Sequence, residues 1–238
     1  RAEAHTLNDV LKLSTGVDVR QRSGFGVQTD ISINGGTFDQ ITLLLNGVPL
    51  SNPQTGHNAA DFPVSISDID HIEILEGSSA RIYGSSAFSG AVNIVTRTPS
   101  RTGGRVNMEG GSFGTFGGDA AVSWNPSASL QQLLSGGYMQ SDGGTANSNF
   151  RKRRGFYQGG FNSTFIRLNW QAGITSQDFG ANTFYSARFP NQYEATRRYI
   201  ASASAAIRPF AHSDNTTAAS FEIKPMLYGH RNYDHFQL

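Results

Sequence analysis

The feature that most limits how this chain can fold is an alternation of apolar and polar residues in its C-terminal half. From Ile166 to Thr175, every second residue is apolar, and the residues between are polar or glycine. A period of two places the two kinds of side chain on opposite faces of a β-strand. The alternation recurs in six further segments between residues 106 and 227. The sequence therefore predicts seven strands, each with one apolar face.

Soluble β-sandwiches and membrane β-barrels both contain such strands, because their sheets have one apolar and one polar face. Several segments run for about 9–11 residues, the length that crosses a bilayer when a strand is tilted. Long connections are predicted at 141–154 and 176–197, and short ones at 125–129, 162–164 and 209–215. Aromatic residues lie near several predicted strand ends: Phe116, Trp124, Tyr138, Phe165, Tyr199 and Phe210. These features favour a barrel. Because seven strands cannot close one, we expect further strands beyond the C-terminal residue.

The composition excludes several classes of protein. There are 19 Lys and Arg residues against 18 Asp and Glu, so the net charge of +1 gives no reason to expect a nucleic-acid surface. The chain has no cysteine, which excludes disulfides, thiolate metal sites and cysteine nucleophiles. No stretch of about 18 apolar residues is present, so no transmembrane helix is predicted.

The first 97 residues follow different rules from the rest. They carry a net charge of −4, whereas residues 98–238 carry +5. A short helix is predicted at 6–13, and strands at 17–20, 29–33, 41–45, 71–75 and 91–96. The predicted fold is an α+β domain at 1–97 followed at 98–238 by about seven antiparallel strands, the N-terminal part of an incomplete transmembrane β-barrel.

Five blocks of the first domain, in order, carry a resemblance to a known family. They are Leu7–Val19, Asp30–Gly35, Leu43–Pro49, Ile69–Gly77 and Tyr83–Thr96. Together they resemble the plug domain of TonB-dependent outer-membrane receptors over nearly all of residues 6–97. The segments 35–40 and 52–57 look most like the vitamin B12 (cobalamin) receptor branch of that family.

The resemblance implies a transporter in the outer membrane of a Gram-negative bacterium. It would bind a scarce ligand, such as cobalamin or a metal chelate, and import it through a plugged barrel of about 22 strands. Implied partners are a TonB-type energising complex, which would act through an N-terminal segment absent from this chain, outer-membrane lipid or lipopolysaccharide, and a surface lipoprotein. No enzymatic activity is predicted, since neither a G-x-S-x-G nor an H-E-x-x-H motif occurs. The alternative is a secreted, soluble β-rich binding or adhesion module.

Two polar loops of the first domain, 51–58 and 78–88, are the predicted ligand-binding surface. Amides, aromatic rings and a cation that converge on loops suit a large polar ligand. The equally weighted alternative is that these residues pack against barrel loops. The candidate ligand-binding residues are Asn52, Gln54, Thr55, His57, Arg81, Tyr83 and Phe88.

Three further charged groups have both a functional and a structural interpretation. Asp142 and Asp178, in the two long predicted loops, could bind Ca²⁺, but a solvated carboxylate is the favoured interpretation because no Asp cluster accompanies them. No other cofactor is predicted. The basic run 151–154 either faces solvent or pairs with lipopolysaccharide phosphates.

Charge also predicts how the two domains meet. Arginines occupy the polar face of the alternation and should face the acidic first domain. They are Arg105, Arg167, Arg198 and Arg208. Asn34 and Glu76 stand where the family usually has basic residues, and Ser78 where it has Pro, so the resemblance predicts that the usual salt bridges between plug and barrel are lost.

Overall fold

The computed structural model describes residues 6–21, 24–27, 29–50, 61–77, 80, 83, 87–209 and 221–237. The first of these segments contains helix α1 (Leu7–Leu11). Thr6 caps it reciprocally with Asp9: the Thr6 hydroxyl accepts from the Asp9 amide at 3.2 Å, and the Thr6 amide donates to the Asp9 carboxylate at 2.9 Å. Within the described ranges, no helix is both long and apolar enough to span a membrane.

The N-terminal unit, residues 6–97, contains two small sheets. Strands β1 (Val17–Gln21) and β2 (Thr29–Ile33) form an antiparallel pair. A four-stranded sheet has the order β4-β3-β6-β5, in which only β3 and β6 are parallel. Its strands are β3 (Ile41–Leu45), β4 (Val48–Pro49), β5 (Ile69–Glu76) and β6 (Gly90–Thr96).

Strand β3 is the centre of this unit. All five of its residues are buried, as expected for a nearly continuous apolar run inside a sheet. Asn46 and Gly47 connect β3 to β4 with φ values of 52° and 79°. Positive φ at both positions is the geometry of a tight hairpin turn, which an Asn-Gly pair favours.

A third sheet, of seven strands, contains most of the rest of the described chain. Its order, β13-β12-β11-β10-β9-β8-β7, follows the sequence, and every neighbouring pair is antiparallel. The strands are β7 (Gly103–Gly110), β8 (Phe116–Ser127), β9 (Leu130–Ser141), β10 (Phe150–Asn162), β11 (Ile166–Asn182), β12 (Gln192–Ile207) and β13 (Met226–Gln237). The sheet is not closed, since β7 and β13 are not paired with each other. We call the end of the sheet with connections 111–115, 142–149 and 183–191 the upper end, and the opposite end the lower end.

Several strand boundaries differ from the sequence prediction, and β10 begins at Phe150, inside the predicted connection 141–154. β11 and β12 extend well beyond their apolar stretches, so Asp178 and Glu194 lie in paired strands and not in a loop. The last of the seven predicted strands, which ends at residue 227, is wrong in its bounds, because β13 begins only at Met226. Pro225 lacks an amide hydrogen and interrupts the ladder, although its carbonyl still accepts from Ala205 at 3.0 Å.

We call the face of the large sheet that is turned away from the N-terminal unit the outward face, and the opposite one the inward face. Aromatic residues mark two levels on the outward face. At the lower level, Trp124 stacks on Tyr157 with ring centroids 6.4 Å apart, and Trp170 donates to the Tyr157 hydroxyl at 3.2 Å. At the upper level, Tyr199 packs edge-on against Tyr233 at 6.2 Å. Between these levels the outward residues are small or apolar. Phe210 lies outside the described residues.

Candidate functional site between the N-terminal unit and the sheet

A buried carboxylate links the N-terminal unit to the sheet. Asp68 ends a 3₁₀ turn (Ile66–Asp68) just before β5, and the residue is 1% exposed. Its carboxylate accepts from the Ser65 amide at 3.0 Å within the unit. From the sheet it accepts from the Ser135 hydroxyl at 2.8 Å and from the Arg105 guanidinium at 2.5 Å. A buried carboxylate with three donors, one of them charged, is well satisfied.

The charges continue along the inward face of the sheet. The Arg105 and Arg154 guanidinium groups lie 3.8 Å and 3.6 Å from the Asp119 carboxylate. We call Asp68, Arg105, Asp119 and Arg154 the Asp68 cluster. Acid and base alternate along it, so each carboxylate has a cation beside it. The cluster joins the two domains by a salt bridge, although Asn34 and Glu76 replace the basic residues usual in the resembled family.

The four arginines predicted to face the first domain have different partners. Arg105 contacts the N-terminal unit through Asp68, and Arg198 donates to the Asp61 carbonyl oxygen at 3.1 Å. Arg208 instead pairs with Glu222, at 3.0 Å, next to the lower end of the sheet. Arg167 lines a cavity at the lower end. The predicted electrostatic match is therefore made by two of the four arginines.

An apolar contact lies beside the Asp68 cluster. Phe156, Gly173 and Ile200 are register partners on β10, β11 and β12, and they form one row across the sheet. Phe156 is 1% exposed and Ile200 5% exposed, and both belong to the core cluster of the N-terminal unit. Gly173 leaves a gap in the row, which we call the notch, and the Pro63 ring fills it. A Cβ atom built on Gly173 would lie 2.6 Å from Cγ of Pro63, so only glycine fits this position.

A third contact holds the segment 24–27 at the upper end. The Phe25 ring lies 5.7 Å from the Phe150 ring, and Val27 is buried against the same part of the sheet. The Lys152 ammonium group donates to the carbonyl oxygens of Phe25 and Gly26 at 3.3 and 3.4 Å. One cation of the basic run therefore faces inward and serves packing between the domains.

A fourth contact is made by amide side chains at the lower end. Asn46 donates to the Gln171 side chain at 2.7 Å, and Gln171 donates to the Leu45 carbonyl oxygen at 3.1 Å. Gln158 bonds to the Thr96 hydroxyl and donates to the Arg97 carbonyl oxygen at 2.5 Å. These neutral contacts tie the β3–β4 turn and the end of β6 to the sheet.

Two cavities lie between the domains, on either side of the notch. One, of about 950 Å³, is at the lower end and is lined mainly by amides and hydroxyls, including Gln158, Asn169 and Gln171. The other, of about 430 Å³, lies toward the upper end and is lined by charged side chains, including Asp119, Lys152 and Arg154. Along β10 the notch residue Phe156 lies between Arg154 and Gln158. The notch and Pro63 therefore separate two polar spaces.

The predicted ligand-binding residues fall mostly where the structure gives no description. Asn52, Gln54, Thr55, His57 and Arg81 lie outside the described residues. Of the other two, Tyr83 is half-buried and packs against a small cluster of the N-terminal unit that includes Leu44 and Ala87. Phe88 is 70% exposed. The ligand-binding assignment therefore stays a prediction.

The two predicted calcium ligands lie in different surroundings. Asp142 follows β9 and is exposed, with its amide bonded to the Phe113 carbonyl oxygen at 2.8 Å. Asp178 lies within β11 and accepts from the Tyr193 hydroxyl at 3.3 Å. Within the described part of the chain, no three His, Asp or Glu side chains converge as a metal site would require. The Ca²⁺ assignment stays a prediction.

His71 on β5 lies between two carboxylates on the surface of the N-terminal unit. Its Nδ1 is 2.8 Å from Asp70 and its Nε2 is 3.4 Å from Glu73. Hydrogen bonds to Asp70 and then Glu73 favour the protonated ring and raise the pKa of His71 above its ordinary value of 6.5. The contribution of the protonated His71 ring to the stability of the folded state is complete below pH 6.5, and it is lost as the pH rises through the folded-state pKa.

We therefore expect the pKa of the His71 ring to be higher in the wild-type protein than in the Asp70→Asn variant. The measurement is an NMR titration of the imidazole Cε1 proton in both proteins. Equal midpoints would show that the Asp70 contact does not act on the ring. The Asp18→Asn variant, altered at an exposed carboxylate that pairs with Arg20, is the control and should titrate like wild type at His71.

Comparisons with known proteins agree with this architecture. Residues 1–91 match the model of the TonB-dependent receptor plug domain. The vitamin B12 transporter BtuB of Vibrio vulnificus is 26% identical over 206 residues, which are 76% of this chain and 32% of that protein. The BtuB protein of Photobacterium profundum is 33% identical over 123 residues, 50% of this chain and 20% of that protein. The chain spans about a third or less of the length of these relatives.

Solved structures give the same fold at low sequence identity. The ferric citrate transporter FecA superimposes with a TM-score of 0.72 at 18% identity, covering 99% of this chain and 39% of FecA. The copper transporter OprC gives 0.69 at 18% identity, covering 94% of this chain and 34% of OprC. The chain therefore contains a TonB-dependent receptor plug domain followed by antiparallel strands with the fold of that family's barrel, and it is related to the vitamin B12 transporters.

Proposed function

We propose that this chain is the plug and first wall of an outer-membrane receptor that imports a scarce small molecule, cobalamin or a metal chelate, with energy supplied through TonB. The observation that carries the proposal is the plug seated on the polar face of the sheet while the opposite face stays apolar. Similarity to vitamin B12 transporters makes cobalamin the first ligand to test. The resemblance in fold to ferric citrate and copper transporters makes metal complexes the second.

The outward face of the sheet supports a membrane location. Met108 is 78% exposed and Ile174 is 42% exposed, and both point away from the plug. A sandwich would cover this face with a second sheet. The described residues place the N-terminal unit on the inward face instead. An uncovered apolar face of this extent suits contact with lipid better than contact with water.

The contacts between plug and wall suit a part that must be both held and displaced. Apolar packing occurs at the notch and around segment 24–27, whereas the Asp68 cluster and the lower-end side chains make hydrogen bonds between amides, hydroxyls and one buried carboxylate. Water can replace such contacts one at a time, which makes partial displacement less costly than breaking a continuous apolar interface. A ligand that enters from the upper end would have to pass the notch to reach the lower cavity.

The test is uptake by cells that carry or lack the complete gene. We expect deletion to abolish uptake of labelled cyanocobalamin, or of a ferric siderophore, and the cloned gene to restore it. Deletion of TonB should have the same effect. Unchanged uptake of every tested ligand, together with a gene product that is soluble without detergent, would instead support the secreted binding module.

A charge on the outward face should prevent membrane assembly. Replacing Ala172, which lies on the outward face between the two aromatic levels, by arginine should cost about 2–4 kcal/mol near the bilayer midplane, so the yield of folded receptor in the membrane should fall severalfold. The measurement is the heat-modifiable band on a gel of outer-membrane fractions. Asn169→Arg, on the inward polar face of the same strand, is the control and should fold at nearly the wild-type yield. Equal yields for the two variants would contradict the assignment of the faces.

A further inference from the structure

The lower cavity differs in chemistry from the space above the notch. Amides and hydroxyls dominate its lining, and among the described lining residues Arg167 is the only one with an ionisable side chain. The upper cavity, in contrast, is lined by carboxylates and cations such as Asp119 and Lys152. Neutral amides and hydroxyls supply hydrogen-bond donors and acceptors without requiring a charged ligand. The lower cavity therefore suits an uncharged polar molecule.

Inward side chains of the sheet form one wall of this cavity in two rows. The row that contains Gln158 and Gln171 is bonded to the plug, as described above. The next row toward the lower end crosses β9 to β12 and makes no hydrogen bond to a described plug residue. It consists of Gln131, Gly160, Asn169 and Ser204. We call these four residues the amide recess.

Gly160 leaves a gap in the amide recess between two side-chain oxygens. A Cβ atom built on Gly160 would lie 3.5 Å from Oδ1 of Asn169 and 3.5 Å from Oε1 of Gln131. The carbonyl oxygen of Leu168 is 3.8 Å from the same point. Three acceptors therefore surround the gap, and a ligand nitrogen that enters it can approach both amide oxygens. This arrangement suits a group that donates hydrogen bonds.

The acceptors of the amide recess are not used by the described part of the protein. Among those residues, the Asn169 amide and the Ser204 hydroxyl have no hydrogen-bond partner, and the Gln131 side chain only donates, to the Ala128 carbonyl oxygen at 3.0 Å. Asn169 is exposed and Gln131 is half-buried, so water can reach both. A ligand would exchange bonds with water for bonds with the recess, and such an exchange binds weakly. Weak binding suits a site that a molecule must leave again.

The amide recess disfavours a ligand with several negative charges. The oxygens beside Gly160 would repel a carboxylate, whereas a carboxamide meets the same oxygens as a donor. Arg167 lies one row further toward the lower end, opposite Asn162, and could neutralise a single negative charge. A polyanion would keep further charges without partners in a partly desolvated space, which is costly. The lining therefore selects for carboxamides over carboxylates.

We propose that the amide recess is a transit site, which binds carboxamide groups of the imported molecule after that molecule has passed the notch. The inference rests on the proposed function and narrows its ligand. Cobalamin carries carboxamide side chains and fits the recess, whereas a polycarboxylate complex such as ferric citrate does not. The carboxamide nitrogen would lie over Gly160 and donate to the oxygens of Gln131 and Asn169. The Ser204 hydroxyl would bind a second polar group of the same molecule.

The test places a reactive thiol beside the amide recess in receptor purified from its complete gene. Asn162 lines the cavity and lies two residues from Gly160 on the same face of β10, about 7 Å away. The Asn162→Cys thiol is alkylated with iodoacetamide and, in parallel, with iodoacetate, and in both reactions the thiolate displaces iodide. The two reagents differ only in carrying a carboxamide or a carboxylate. The measured quantity is the ratio of the two rate constants, in which the reactivity of the thiol cancels.

Filling the gap, in Gly160→Val, should lower the ratio of iodoacetamide to iodoacetate alkylation about tenfold, since each neutral hydrogen bond contributes a factor of about 2–10. Gln131→Leu with Asn169→Leu should lower it equally, because this change removes both oxygens and leaves the gap open. The control is Gly136→Val, on the outward face of β9, where an added Cβ lies no closer than 3.5 Å to its neighbours. It should leave the ratio unchanged. Arg167 attracts iodoacetate in every variant, so it does not cause a difference between them.

An equal ratio with and without Gly160→Val would overturn the proposal. Wild-type uptake of cyanocobalamin by cells that produce Gln131→Leu with Asn169→Leu would also overturn it. Loss of a transit site should slow uptake severalfold, while binding of cyanocobalamin to the surface of cells without TonB stays unchanged. A carboxamide preference at the recess without uptake of any ligand by wild-type cells rejects only the proposed function, whereas uptake without that preference rejects only this inference.

Discussion

Replacing Asp68 by alanine is expected to destabilise the docked plug by about 3–5 kcal/mol, the largest effect of any single substitution considered for this protein. The change leaves the Arg105 guanidinium without its buried partner, and the Ser135 hydroxyl and the Ser65 amide lose their acceptor. Arg105 is 32% exposed and keeps Asp119 at 3.8 Å, so most of the cost comes from the Ser65 amide and the Ser135 hydroxyl, each of which costs about 1–3 kcal/mol when left without an acceptor. Hydrogen exchange should show the amides around the 3₁₀ turn opening far more often.

Asp70, two residues further along the chain, is the control for Asp68. Asp70 has the same charge, but its side chain is 60% exposed and pairs with His71. Asp70→Ala should change stability by no more than about 0.5 kcal/mol. Asp68→Asn keeps the shape of the side chain but removes its charge, so its loss of stability should lie between those of Asp68→Ala and Asp70→Ala. Equal protection from exchange in Asp68→Ala and Asp70→Ala would show that the Asp68 cluster does not hold the plug.

Joining the plug to the wall at the notch is expected to stop the proposed import completely and reversibly. Cysteines at positions 63 and 173 would face each other, because a Cβ built on Gly173 lies 2.8 Å from Cβ of Pro63. A disulfide needs about 3.8 Å between Cβ atoms, so the strand must move outward by about 1 Å. The sequence contains no cysteine that could form a competing disulfide.

The measurement is uptake of the transported ligand by oxidised cells and again after a reductant. Uptake in Pro63→Cys with Gly173→Cys should fall to background and recover on reduction. Each single variant should transport in both conditions, which separates the tether from damage to the notch. Full uptake by receptor with a quantitatively formed disulfide would show that import leaves this contact in place.

The pattern of apolar and polar residues within each segment explains which strands could be predicted from the sequence. β3 and β11 were recognised because their own residues carry the signal, a buried apolar run in one and a strict period of two in the other. The upper half of β12 and most of β13 were not, because polar residues occupy both faces of a strand that continues beyond the apolar level. Their pairing is dictated by the neighbouring strand, and this information is not present in the segment itself.

The contacts between the domains were harder to predict for the same reason. The excess of acid in one domain and of base in the other was visible, and Arg105 was correctly placed on the inward face. The partner of Arg105 could not be identified, because Asp68 is one of several acidic residues in a short stretch. Gly173 gave no signal at all, since a glycine fits either face of an alternating strand, and its role becomes visible only with Pro63 in place.

The succession of strands in the large sheet has a consequence for the order of folding. Each of its strands pairs only with the strand before and after it, so every added hairpin closes a short loop. The plug contacts close far longer loops: Asp68 and Ser135 are 67 residues apart, and Leu45 and Gln171 are 126 apart. Loop-closure entropy therefore favours growth of the sheet hairpin by hairpin, with the plug captured only after β11 has joined. A plug captured late could be released and docked again without dismantling the wall, so assembly and the proposed transport would use the same set of contacts.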